Sequence, residues 1–235
     1  MALLTALGGC AAGGGGTDLS IVSPHPGLTQ GGNLAQETTA TGFFVNENGD
    51  VLTAAHAVTS CPRLFVIKDN EPAPAHMVAK DAGADIAVIH SRIAPLLPAT
   101  LAADSGSGGA SQPVFAAAYS LLQGSSSQNT MSNGLTTATA ASRVRMSFYS
   151  GAAPGASGSP VFSTTGLVLG MIVQRENDDI GSGAGSFVLG VPVDQLEDFL
   201  RANGISFQAS DSAQIGPGQA TGARANTVSV GIICG

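Results

Sequence analysis

Three short stretches carry the side chains that acyl transfer needs. Ser157 lies in Gly155-Ala156-Ser157-Gly158-Ser159-Pro160, between small residues in a glycine-rich turn. His56 lies in Thr53-Ala54-Ala55-His56-Ala57, and Asp85 heads the apolar run Asp85-Ile86-Ala87-Val88-Ile89. A serine attacks a carbonyl only with a base in hydrogen-bond reach, a carboxylate that fixes the base's tautomer, and donors for the oxyanion. Glycines at 155 and 158 allow backbone shapes closed to other residues, in which the amides of Gly155 and Ser157 point the same way. His56 sits where a strand gives way to a small-residue turn. A carboxylate at the head of an apolar strand is partly buried and needs a partner.

Other candidates for these roles lack that setting. His25 lies in a Gly/Ser/Thr/Pro-rich segment, His76 and His90 sit beside charged residues, and Asp81 and Asp104 have no apolar strand behind them. They are expected to be surface, strand or loop residues.

The elements that must hold the three residues are short strands. Apolar or alternating runs fall at 41–45, 51–54, 64–67, 86–89, 114–119, 144–149, 161–162 with 167–173, and 187–193. Asn48-Gly49 between the first two is a hairpin signal. Many short strands joined by glycine-rich turns point to an all-β sandwich or barrel. Asp194, with Glu197 three places on, predicts a helix N-cap; Leu196, Phe199 and Leu200 share one face, and Asn203-Gly204 stops the helix. Residues 1–37 are expected to be an export segment and flexible linker. Residues 206–226 are expected to be polar linker, and 227–234 a returning strand.

Composition excludes other classes. With 16 acidic against 9 basic residues and a net charge of -7, the chain has no basic patch to neutralise a phosphate backbone. The absence of tryptophan and the presence of two tyrosines leave no stacking platforms for single strands or sugars. No apolar run reaches the roughly 18 residues of a membrane-spanning helix, and no spacing suggests a metal or other cofactor site. Leu7-Gly8-Gly9-Cys10 resembles a lipoprotein cleavage site but lacks a basic residue before it. Cys10 is thus a lipidation candidate, with an ordinary export segment as the alternative. Cys61 and Cys234 are then expected to pair in an oxidising envelope compartment, with two buried free thiols as the alternative.

TAAHA, DIAVI and GASGSPVF, in that order, resemble the His, Asp and Ser motifs of the chymotrypsin-like serine peptidases. The intervals, 29 residues from His56 to Asp85 and 72 from Asp85 to Ser157, are similar to those of the bacterial HtrA (DegP) group. NENGDVLTAAHAV resembles the hairpin leading to the family histidine, GSFVLGVPVDQLEDFLRANGI the closing strand and helix, and NGLT the strand before the nucleophile loop. The resemblance covers about residues 38–205, with no PDZ module after it. It implies two six-stranded-type Greek-key β-barrels with a C-terminal helix, in a peptidase domain over 38–205 followed by a tail over 206–235. Its implied activity is that of an exported serine endopeptidase with His56, Asp85 and Ser157 as triad and the amides of Gly155 and Ser157 as oxyanion donors. Polypeptides are the implied substrates, and membrane contact would come only through a lipid on Cys10. A non-catalytic peptide-binding protein on the same fold, or an esterase or acyltransferase with the same triad, is the alternative.

Two departures from the family pattern matter. The residue before the nucleophile is Ala156, which cannot make the ion pair that activates zymogens, so the turn must be ordered by its own packing or by another segment. Gly151, six before the nucleophile, brings no carboxylate to the base of the primary pocket, which disfavours cleavage after basic residues. By the same resemblance the pocket wall includes Val173 and Gln174, which favour small or medium apolar side chains. Arg175 either narrows the pocket or attracts an acidic side chain, or is a solvated strand end.

Overall fold

The computed structural model describes residues 34–103, 113–124, 136–137, 139–140, 146–150, 155–175 and 186–235. In chain order the first strands are β1 (Ala40–Phe44), β2 (Asp50–Ala54), β3 (Leu64–Lys68), β4 (Glu71–Asp81), β5 (Ile86–Ser91), β6 (Thr100–Ala102) and β7 (Pro113–Phe115). Helix α1 (Tyr119–Gly124) precedes β8 (Thr136–Thr137), β9 (Thr139–Ala140), β10 (Met146–Ser150), β11 (Pro160–Ser163), β12 (Val168–Arg175) and β13 (Ser186–Pro192). Helix α2 (Val193–Ala202), β14 (Gln208–Ser210), α3 (Thr221–Val228) and β15 (Ser229–Cys234) complete the chain.

The first body is a closed barrel in the order β1-β15-β3-β4-β5-β2. Its β1–β2 hairpin forms because Asn46 Oδ1 accepts the N–H groups of Asn48 and Asp50 and Gly49 takes φ 92. A side chain could not replace that glycine, since a Cβ there would lie 2.1 Å from the Ser91 carbonyl oxygen. Strands β1, β2 and β5 are buried on both faces. Phe44, Val51, Ala87 and Ile89 pack with Val66, Val230 and Ile232, while Phe43, Leu52, Ile86 and Val88 face a second cluster with Leu101, Phe162, Met171, Val191, Leu196 and Leu200. This double burial explains why those strands are continuous apolar runs rather than alternating ones.

The second body is a sheet of nine strands among the described residues, ordered β8-β7-β11-β12-β13-β10-β9, with β6 beside β12 and β14 beside β6. Helix α2 seals the core between the bodies by burying Leu196 and Leu200 completely, worth roughly 1.5–3 kcal/mol per side chain. It starts two residues earlier than its sequence suggests. Pro192 occupies the N-cap without a side-chain cap, and Asp194 lies in the first turn, where its charge complements the helix dipole. Asn203 is the C-cap and Gly204 takes φ 67.

The sixth barrel strand comes from the far end of the chain. β15 pairs with β1 (Gly42↔Val230) and with β3 (Ile232↔Val66), and a Cys61–Cys234 disulfide ties its end to the segment following His56. The stretch 206–226, expected to be linker, instead carries β14 and most of α3. β14 adds to the edge of β6, and α3 buries Ala225 and Val228. Among the described residues no helix is long and apolar enough to cross a membrane.

Candidate active site

Where β2 ends, a single 3-10 turn (Ala55–Ala57) lifts His56 out of the buried strand, leaving its side chain 52% exposed. The pairing of Ala54 with Ile86 brings this turn beside the head of β5, where Ala55 N–H donates to the Asp85 carbonyl. Asp85 takes φ 60, a left-handed conformation that aspartate tolerates better than most residues. The result is a two-point grip on one residue. Asp85 Oδ1 accepts the His56 backbone N–H at 2.9 Å, and Oδ2 lies 2.7 Å from His56 Nδ1. A carboxylate only accepts, so the ring proton belongs on Nδ1 and the lone pair of Nε2 is left free to act as a base.

The turn carrying Ser157 is held from several sides. Gly155 and Gly158 take φ 86 and 84, Gly158 N–H donates to Ile172 O at 2.7 Å, and Ser159 N–H closes the turn on Ala156 O at 2.9 Å. The buried Ser159 hydroxyl donates to Ala117 O at 3.0 Å, bracing the segment before α1. From β1, the Thr41 N–H donates to Ser157 O at 2.9 Å and the Thr41 hydroxyl to Gly155 O at 2.7 Å. Gly158 presses on both hairpin strands: a Cβ there would lie 2.0 Å from Thr41 O, 2.5 Å from Thr53 Oγ1 and 3.1 Å from Ala54 N. The nucleophile turn therefore abuts β2 two residues before His56. Ala156 is buried, and Thr41 and Ser159 provide the order that no acid supplies. Among the described residues no acceptor takes the N–H of Gly155 or of Ser157.

Thr41, Thr53, Tyr119 and Ser159 were not singled out by sequence reasoning. The one signal in the sequence was a threonine within an apolar strand run, since a hydroxyl buried there must find partners, though the run does not say which. Tyr119 is also fully buried. Its hydroxyl accepts the Asp69 N–H at 2.9 Å, and burial pushes its pKa up to about 12.

Other residues fall elsewhere. Val173 is buried in the core shared by the two bodies, on the same face of β12 as Met171 two residues before it. Gln174 and Arg175 pair through their backbones with Leu189 and Val188, while Gly151, Cys10, His25 and Asp104 lie outside the described residues. His90 Nδ1 is 2.9 Å from Asp50 Oδ1 beside the His76 ring, and Asp81 accepts the N–H groups of Gly83 and Ala84. Among the described residues no group of three His, Cys, Asp or Glu side chains is arranged to hold a metal.

The family model for the trypsin-like peptidase domain matches residues 40–171, from β1 through the Ser157 turn into β12. No curated protein sequence matches the chain. Among solved structures, the active form of the Rv3671c protease from M. tuberculosis is 17% identical, with TM-score 0.53, covering 92% of this chain and 100% of that one. An inactive form of the same protease from M. tuberculosis H37Rv is 18% identical with TM-score 0.54, covering 78% and 96%. The HtrA-type protease AlgW, solved with a decapeptide, is 16% identical with TM-score 0.53, covering 70% of this chain and 51% of that one. At these identities the likeness is one of fold.

Proposed function

The chain belongs to the trypsin-like peptidase family, and we propose that it is a serine endopeptidase working through Ser157, His56 and Asp85. His56 Nε2 takes the Ser157 Oγ proton as Oγ attacks the scissile carbonyl, and Asp85 holds the imidazolium that forms. The carbonyl oxygen becomes an anion held by the N–H groups of Gly155 and Ser157. His56 then returns the proton to the leaving amine, which departs and leaves an acyl-enzyme on Oγ. Water, deprotonated by the same nitrogen, releases the acid. Loss of one oxyanion donor in such a site costs roughly 3–4 kcal/mol of transition-state stabilisation.

The observation that carries this reading is the double contact of Asp85 with His56 beside a Ser157 turn held by β1. The Cys61–Cys234 disulfide supports work in an oxidising compartment, in keeping with a bacterial envelope location and with Cys10 as lipid attachment site. Polypeptides are the proposed substrates. Purified oxidised protein should cleave a diverse peptide library and Ser157→Ala should not. A folded, oxidised parent that cleaves nothing would leave the fold as a binding module.

A further inference from the structure

Strand β1 is apolar on both sides of one exception. Ala40, Phe43 and Phe44 are fully buried, and so is Thr41. Burying its hydroxyl costs free energy unless the hydroxyl bonds. It does so twice: it donates to Gly155 O at 2.7 Å and accepts the Tyr119 N–H at 2.9 Å. The Thr41 backbone N–H donates to Ser157 O at 2.9 Å, and its carbonyl accepts the Thr53 hydroxyl at 2.8 Å. One residue thus holds the carbonyls at both ends of Gly155-Ala156-Ser157. A glycine's backbone turns almost freely, so the hydrogen bond on the Gly155 carbonyl sets how the peptide after it lies, and with it where the N–H groups on either side point. The Tyr119 N–H occupies an acceptor site of the hydroxyl and so aims its proton at Gly155. Tyr119 is in turn fixed by its ring against Gly231 of β15 and by its hydroxyl on Asp69 N–H.

We infer that Thr41 is a positioning residue for the oxyanion donors, holding Gly155 and Ser157 in the orientation that receives the developing negative charge. The inference rests on the peptidase reading above. It ties a residue of the first barrel, 114 positions from Gly155, to the turn of the second body.

The test uses the full-length oxidised protein, a fluorophosphonate probe and p-nitrophenyl acetate. Thr41→Val keeps the shape but leaves Gly155 O without its donor and Tyr119 N–H without its acceptor. Its labelling rate and kcat should fall about 10- to 100-fold with KM little changed. Thr41→Ser keeps the hydroxyl and should recover to within about threefold of the parent. If thermal melting shows Thr41→Val unfolded, Thr41→Ala removes the same hydroxyl and carries the same expectation. Parent-like labelling and kcat in the folded valine or alanine variant, a change confined to KM, or a serine variant as slow as valine would each overturn the role of Thr41. A parent that is never labelled would instead overturn the peptidase reading and the inference with it.

Discussion

Replacing Gly158 with alanine tests the close approach of the Ser157 turn to the hairpin. The new Cβ would lie 2.0 Å from Thr41 O and 2.5 Å from Thr53 Oγ1, both inside contact distance. The first of these atoms is backbone in the middle of the barrel, and the second is donating a hydrogen bond to it. Relief requires the turn to withdraw, which breaks bonds to buried carbonyls at about 1–3 kcal/mol each. A non-glycine residue at φ 84 adds about 1–2 kcal/mol. The expected loss is about 3–5 kcal/mol, a large part of the 5–15 kcal/mol typical of a folded domain. Gly218 supplies the control, because it takes φ 81 with nothing within 4 Å of its Cβ position. Gly218→Ala should cost only the backbone strain, about 1–2 kcal/mol. Urea unfolding of both variants measures the difference, and fluorophosphonate labelling shows whether the turn still works. Equal stability of the two variants, with parent-like labelling of Gly158→Ala, would refute the argued contact.

Three further outcomes follow from the same geometry. The Cys61–Cys234 bond spans 173 residues, so reducing it, or Cys234→Ser, should remove about 5 kcal/mol on the chain-entropy account. At roughly 2–4 °C per kcal/mol that lowers Tm by about 10–20 °C, and an unchanged calorimetric Tm would contradict it. Tyr119 ionises near its ordinary pKa of 10.0 when unfolded but at about 12 when buried. Its contribution is therefore intact below pH 10 and lost as pH rises through about 12. Urea midpoints should fall across that window in the parent, and this component should be absent in Tyr119→Phe. Asp85→Asn would place an amide donor against Nδ1 and force the proton to Nε2, lowering labelling at neutral pH about 10³- to 10⁴-fold. A loss of less than tenfold would show that Asp85 does not set the tautomer.

The parts of the site that chemistry restricts to a few residue types were legible in the sequence. His56 where a strand gives way to a small-residue turn, Asp85 heading an apolar strand and Ser157 between glycines are local patterns, and the spacing between them confines the topology. Strands buried on both faces and the amphipathic α2 were equally visible. What escaped depends on contacts across the chain. Nothing near Thr41 signals that its hydroxyl meets Gly155 and Tyr119. The run 114–119 divides into the end of β7 and the start of α1, because short apolar stretches do not distinguish strand from helix. In β12 Val168 and Met171 reach the same cluster from positions three apart, because the pairing with β11 shifts register between Val161 and Phe162, so simple alternation does not assign the faces. Thr221–Val228 carries little hydrophobic periodicity, yet it packs as α3 because the returning β15 brings it against the barrel.

The central claim is that Ser157 is a nucleophile activated by His56. The most direct measurement is intact-mass analysis of the oxidised protein after treatment with a fluorophosphonate, followed by peptide mapping of the adduct. The account predicts a single adduct on Ser157 that is absent in Ser157→Ala and in His56→Ala while both variants stay folded. An adduct on another residue, or undiminished labelling of Ser157→Ala, would contradict it.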